Sequence, residues 1–167
     1  NAGAYGGDMS QVIRRVIAID RLGNKLELDN PQMNFGYRQS RAMTDGLIVL
    51  GAYIKLKPGD KAEILKCQQD LNKRRSEKQP LNFPSVGSFF KRPSGNFAGA
   101  LIEDCKLKGF RIGDAQVSEL HAGFIINVGT ATYKDVVSLM EHVQKAVFDK
   151  HGIMLNPEVR IIKGRNK

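Results

Sequence analysis

Three features of the sequence predict an α+β fold. β-Branched, apolar runs crowd the N-terminal part, the clearest helical stripe lies near the C-terminus, and a proline-bracketed break at Pro80 to Pro84 separates them. Val12 to Asp20 is apolar and β-branched, Leu22-Gly23-Asn24-Lys25 reads as a turn, and Leu26-Glu27-Leu28 resumes a period of two. Together they predict a hairpin. Leu47 to Leu56 is a further strand candidate, closed by Pro58-Gly59. Asp60 then fits a helix N-cap and Glu63 completes a capping box, with Ile64, Leu65 and Leu71 on one face of the helix that follows.

Beyond the break, Phe97, Ala100, Leu101 and Cys105 have helical spacing, and Gly109 reads as the stop of that helix. Gly123 to Val128 reads as a strand. Thr132, with Asp135 three residues on, opens the clearest helix. Val136, Leu139, Met140, Val143 and Val147 form its apolar stripe, and Gly152 stands where a C-cap glycine belongs. Val159 to Ile162 predicts a last short strand. The expected division is a β-rich part over 1–79 and a small mixed part over 80–167.

Composition sets limits on function. Hydrophobic residues make up 41% and charged residues 26%, as in an ordinary globular protein. The longest apolar stretch, Gly46 to Ile54, falls well short of the roughly 20 residues a membrane helix needs. No leader pattern is visible, so a cytoplasmic location is expected. Cys67 and Cys105 match no metal or redox spacing and read as buried free thiols, with no metal site expected. A net charge of +9 attracts anions, with basic clusters at Lys73-Arg74-Arg75, Lys91-Arg92 and Lys163 to Lys167, the last read as a solvated tail.

Four segments carry candidate chemistry. The opening Asn-Ala-Gly-Ala-Tyr-Gly-Gly lets a backbone approach a flat or phosphorylated ligand closely, although tight turns use glycine as well. It reads as an internal loop rather than the start of a domain. In Phe35 to Ser40, Arg38 is flanked by aromatics and glycine; it could clamp a carboxylate through two parallel hydrogen bonds, or simply stack on Tyr37 at the surface. In Pro84 to Pro93, Gly87 frees the backbone, Ser88 offers a hydroxyl, Phe89-Phe90 could exclude water, and Lys91 and Arg92 add positive charge. Ser88 there is either a proton donor or the cap of a turn leading into an edge strand. In Asn156 to Arg160, Glu158 is either an ion-pair partner of Arg160 or an acid aimed into a cleft.

Taken together and in order, NAGAYGG, YRQS, GSFFKRP, LIEDCKLKGFRIGDAQVS, HAGFIIN and NPEVRII resemble the UDP-N-acetylenolpyruvoylglucosamine reductases along nearly the full chain, most closely their shorter subgroup. The resemblance implies a flavoprotein oxidoreductase of peptidoglycan synthesis, hence of cell wall biogenesis, cell shape and cell division. FAD takes hydride from NADPH and delivers it to the enolpyruvyl double bond of a UDP-sugar substrate, giving UDP-N-acetylmuramate. Residues 1–79 would then be the remainder of the FAD-binding domain and 80–167 the substrate-binding domain. By the same resemblance Arg38 would polarise the substrate carboxylate, Ser88 would protonate the neighbouring carbon, and Glu158 would support the enol-like intermediate. Gly3, Ala4 and Tyr5 would line the flavin. Tyr37, Arg75, Lys78, Lys91 and His121 would contact the substrate, although a lone histidine is as readily a satisfied structural one.

Arg92, Asp114 and Leu120 depart from the residues expected of the family at those positions. The family's first flavin-binding stretch has no counterpart here, so a missing N-terminal segment of the same enzyme is the expected partner and the isolated chain is expected to be inactive. Two other readings compete. A nucleic-acid-binding module would need clustered basic residues with exposed stacking aromatics, whereas the phenylalanines read as lying in apolar surroundings. A related flavoprotein with another substrate is opposed by GSFFKRP and NPEVR.

Overall fold

A computed structural model describes residues 1–162. The terminal basic cluster lies outside them. The chain divides into two compact units, Asn1–Lys61 and Ala62–Lys167. The architecture is α+β, a β-rich unit followed by a mixed one.

In the first unit, β1 (Gly3–Ala4) and β2 (Gly7–Asp8) form a small hairpin. A three-stranded antiparallel sheet follows in the order β4-β3-β5, from β3 (Ile13–Ile19), β4 (Lys25–Asp29) and β5 (Ile48–Ile54). The predicted β3–β4 hairpin is formed, with Val16 opposite Leu28 and Ile19 opposite Lys25. The Asp20 carboxylate closes its turn by accepting from the backbone N–H groups of Leu22 and Asn24, both at 2.9 Å. Ile13, Val16, Ala18, Leu28 and Met33 make the core of this unit. A single helical turn, α1 (Arg41–Thr44), leads into β5.

The second unit holds α2 (Lys61–Lys78), β6 (Ser85–Ser88), α3 (Ala98–Asp104), β7 (Arg111–Ile112), β8 (Ala115–Val117), β9 (Phe124–Asn127) and α4 (Tyr133–His151). The strands form one antiparallel sheet in the order β6-β9-β8-β7. Its core joins the sheet to α3 and α4 through Leu101, Ile102, Val117, Ile125, Leu139 and Val143. α4 follows the sequence closely. Thr132 and Asp135 complete a reciprocal capping box, and Gly152 ends the helix at φ 67°.

Several expectations are corrected. α2 forms where Asp60 predicted it, but none of its residues is buried; Ile64 and Leu65 are 54% and 46% exposed. Three apolar residues among so many charged ones do not make a stripe wide enough to drive burial. Cys67, on this helix, is exposed rather than buried, and Cys105 is half-buried, its thiol pushed up by desolvation. α3 ends at Asp104, before Gly109. Lys106 takes the left-handed backbone (φ 57°), while Gly109 (φ 77°) serves the turn into β7. Residues 159–162 form no strand. Pairing is confined to a bridge between Phe90 and Pro157, flanked by the Glu158 N–H to Phe89 and Lys91 N–H to Asn156 bonds.

These differences predict a contrast. Leu139 is fully buried, so Leu139→Ala should cost about 2–5 kcal/mol in urea unfolding. Ile64→Ala, on the exposed helix, should stay within about 0.5 kcal/mol. A larger loss for Ile64→Ala than for Leu139→Ala would contradict this account of the core.

Candidate functional site

In the first unit the opening loop and the Tyr37-Arg38 turn are held against each other. Tyr5 and Gly6 both take positive φ (51° and 82°), as a type I′ hairpin turn between β1 and β2 requires. No side chain fits at Gly3, where an added Cβ would lie 2.9 Å from the Asp8 Cβ. The second turn is closed by Gly36 and Gln39, each amide donating to the other's carbonyl at 3.1 and 3.2 Å. Between them Arg38 takes φ 55°, which costs a non-glycine residue about 1–2 kcal/mol. Its Nη2 donates to the Gly3 carbonyl at 3.2 Å, and its guanidinium lies 5.1 Å from the centre of the Tyr37 ring. Asn1 ties the second turn to the segment after the hairpin, its Nδ2 donating to the Gly36 carbonyl and its Oδ1 accepting from the Ser10 N–H. The structure thus brings Gly3, Ala4, Tyr5, Tyr37 and Arg38 together.

In the second unit Ser88, His121 and Glu158 are arranged around one buried pair. Phe89 and Phe90 are 3% and 2% exposed, so they are core anchors, not a water-excluding lid. The Phe89 N–H donates to the Gly123 carbonyl at 2.8 Å, and its own carbonyl accepts from the Glu158 N–H at 2.8 Å. The Lys91 N–H in turn donates to the Asn156 carbonyl at 2.8 Å. A bulge precedes the pair. β6 spends one more residue than β9 between Ser85↔Ile126 and Ser88↔Phe124, and Gly87 supplies the positive φ (82°) that this requires. The bulge turns Ser88 outward at the sheet edge while the next two side chains enter the core.

His121 lies on the same side of β9. A Cβ added at Gly123 would sit 2.9 Å from the His121 ring and 3.7 Å from the Ser88 Oγ. The His121 Nδ1 accepts the Gly123 N–H at 3.0 Å, which places the proton of the neutral ring on Nε2. Burial pushes its pKa below the ordinary value of 6.5. The lowered pKa favours the neutral ring, whose one N–H is then at Nε2.

Arg75 and Lys78 occupy the exposed last turn of α2. The Arg75 Nε donates to the Gln79 Oε1 at 3.1 Å, and Gln79 lines a cleft of about 430 Å³ with Asn82, Phe83, Gln116, Glu119 and Leu120. No short-range pattern marks this cleft, because the residues between Pro80 and Pro84 read only as a linker and Gln116 sits in a short strand. Of the three departing residues, Leu120 lines the cleft and Arg92 lies 3.8 Å over the exposed Phe97 ring. Asp114 is structural. It accepts from the Thr130 N–H and Oγ1 at 2.8 and 3.1 Å and pairs with Arg111 at 2.7 Å, and the Thr130 backbone bond is the main reason its carboxyl titrates below the usual range.

Phe83, Phe97, Phe110 and Phe148 are exposed, so the phenylalanines are less uniformly enclosed than the sequence suggested. Among the described residues no group of three His, Cys, Asp or Glu could hold a metal ion, and no helix is long and apolar enough to cross a membrane.

His121 makes this geometry testable. By NMR it should titrate below 6.5, and the unfolded chain should take up the proton first. Stability should therefore fall as the pH drops through 6.5 towards the lowered folded value. Gly123→Ala should displace the ring and return its titration towards the ordinary value. An unchanged titration in that variant would contradict the packing described.

Residues 79–162 match the family model described as UDP-N-acetylenolpyruvoylglucosamine reductase, C-terminal domain. Over 97% of its length the chain is 52% identical to the UDP-N-acetylenolpyruvoylglucosamine reductase of Caldanaerobacter subterraneus and 49% identical to that of Clostridioides difficile, covering 54% and 53% of those proteins. The crystal structure of the corresponding reductase from Thermus caldophilus superposes on 96% of the chain with a TM-score of 0.83 at 34% identity, and 56% of that protein is covered. The chain thus spans about half the length of the relatives it matches. With the match extending over half of its residues and the fold shared, the chain belongs to the UDP-N-acetylenolpyruvoylglucosamine reductase family.

Proposed function

We propose that this chain is the substrate-side portion of a cytoplasmic, NADPH- and FAD-dependent reductase that converts UDP-N-acetylglucosamine enolpyruvate to UDP-N-acetylmuramate for peptidoglycan. In this reading residues 1–79 complete a flavin-binding domain and residues 80–167 bind the UDP-sugar. The reading rests above all on the Gly87 bulge, which delivers the Ser88 hydroxyl to an exposed edge while Phe89 ties that edge to Glu158.

The opening hairpin fits a flavin. Its strands are built from small residues, and an added Cβ at Gly6 would meet nothing within 4 Å, so the tip of the turn is open to a flat ring. Gly3, Ala4 and Tyr5 would hold it. When bound, FAD supplies to one alkene carbon the hydride it has taken from NADPH. The chain's own residues act on the charge and proton that this leaves to be managed. Arg38, pre-set by its left-handed backbone, holds the substrate carboxylate, whose oxygens gain negative charge as the alkene is reduced. Ser88 passes its hydroxyl proton to the carbon beside that carboxylate. Glu158, tethered through its N–H to Phe89, supports the enol-like intermediate next to the serine. The neutral His121 offers Nε2–H as a hydrogen-bond donor to the substrate, and Arg75, Lys78 and Lys91 supply positive charge for its diphosphate.

Ser88→Ala, in a family-length enzyme carrying these residues, should leave the loss of flavin absorbance with NADPH nearly unchanged. Its return on adding enolpyruvyl substrate should slow by about 10²–10⁴-fold in stopped flow. Ser88→Cys should recover part of the rate, because a thiol donates from nearly the same position. If Ser88 only caps the edge strand, the alanine variant will instead lose about 1 kcal/mol of stability and keep its rate. That outcome would remove Ser88 from the chemistry.

A further inference from the structure

Ser118, just past β8, is the one buried polar side chain among the described residues, at 1% exposure. A buried hydroxyl is costly unless it is hydrogen-bonded. Ser118 commits its bond to His121, whose backbone N–H donates to the Ser118 Oγ at 3.3 Å. The turn between them is closed from both ends. The Ser118 N–H donates to the Phe124 carbonyl at 2.9 Å, and the Phe124 N–H donates to the His121 carbonyl at 3.0 Å. The His121 ring is caught in a narrow space. Its Nδ1 accepts the Gly123 N–H at 3.0 Å, the Phe124 ring stands edge-on with centroids 5.0 Å apart, and a Cβ added at Gly99 in α3 would lie 3.3 Å from Cε1. These contacts engage the backbone, Nδ1 and Cε1 of the histidine. Among the described residues no group bonds its Nε2.

We propose that Ser118 is a positioning residue for the reductase reaction, its hydroxyl holding the His121 backbone so that the ring turns Nε2–H toward the substrate. The inference rests on the reading of His121 as a substrate contact. Ser118 touches no reacting atom, and its effect passes through the histidine. The residue type fits the task, since a backbone donor needs an acceptor that the serine oxygen supplies and alanine does not. With that acceptor gone, the His121 N–H loses its partner, and the nearest relief is a rotation of the peptide that also breaks the Nδ1 bond to Gly123. A serine that only closed the loop after β8 would contribute stability and leave the ring tautomer and the substrate affinity as they are.

The experiment uses a family-length enzyme carrying these residues, with Ser118→Ala, His121→Ala and the pair. By ring-nitrogen NMR the parent should show one neutral tautomer, with the proton on Nε2, and Ser118→Ala should populate both. Lys108 and Glu103, the charges that act on the ring, are left in place by this change, so a mixed tautomer reports lost positioning. The KM for enolpyruvyl substrate should rise about tenfold with kcat little changed, as for an interaction lost equally from ground and transition states. Flavin reduction by NADPH, which needs no enolpyruvyl contact, should keep the parent rate and shows that the variant is folded. In the His121→Ala background, Ser118→Ala should raise KM no further. A tautomer or KM indifferent to Ser118→Ala, or an equal rise with the histidine absent, would overturn the proposal and leave His121 as a substrate contact. A parent-like KM for His121→Ala would overturn that reading and the proposal with it. If the alanine variant does not fold, Ser118→Cys, whose sulfur is a weak acceptor, must move tautomer and KM in the same direction.

Discussion

The burial of Phe89 and Phe90 is the constraint on which the candidate site depends. Two adjacent aromatic side chains both enter the core of the second unit, which an unbroken strand, alternating its side chains between faces, would not allow. The strand ends at Ser88, just after the Gly87 bulge, so strict alternation no longer governs the pair, and Phe90 is held instead by an isolated bridge to Pro157. Once the pair is fixed, the backbone around it has little freedom. The Phe89 N–H is bound to Gly123 and its carbonyl to Glu158, and the Lys91 N–H is bound to Asn156. The backbones of Ser88, Gly123, Glu158 and Lys91 are therefore placed by or beside the buried pair.

The first unit achieves the same end by backbone conformation. Arg38 sits in the left-handed region and Tyr5 does likewise, each a position where glycine would be easier. Arg38 is fixed by the closed Gly36–Gln39 turn, by Tyr37 beneath its guanidinium and by the Gly3 carbonyl that it reaches. Such a conformation persists where the surroundings over-determine it, and the double bridge from Asn1 to Gly36 and Ser10 does so.

The legible parts of the sequence were those governed by local rules. The β3–β4 hairpin follows from alternation and a turn, and α4 from a capping box, an apolar stripe and a C-cap glycine. The failures have a common cause in tertiary context. Val159 to Ile162 has the composition of a strand, but the pairing beside it stops at the single Phe90–Pro157 bridge, which no local pattern announces. Ile64 and Leu65 have helical spacing but no core to meet among the described residues. Phe89-Phe90 read as solvent-excluding in sequence because nothing in one sequence distinguishes a lid from an anchor. The candidate site was legible as motifs, through their resemblance to a family, while its geometry was not. That Ser88, His121 and Glu158 converge on Gly123 and Phe89 depends on pairings across β6, β9 and residues 156–158 that no short-range pattern records.

In the proposed mechanism Ser88 and Glu158, tied through one phenylalanine backbone, act as a unit on one intermediate. A double-mutant cycle in a family-length enzyme tests it, using Ser88→Ala, Glu158→Gln and the pair, with the rate of the substrate half-reaction as readout. Groups acting on the same intermediate should be non-additive, with a coupling of about 0.5–3 kcal/mol, the double variant being little slower than the worse single one. Losses that simply add, within about 0.3–0.5 kcal/mol, would show two residues working independently and would contradict the account.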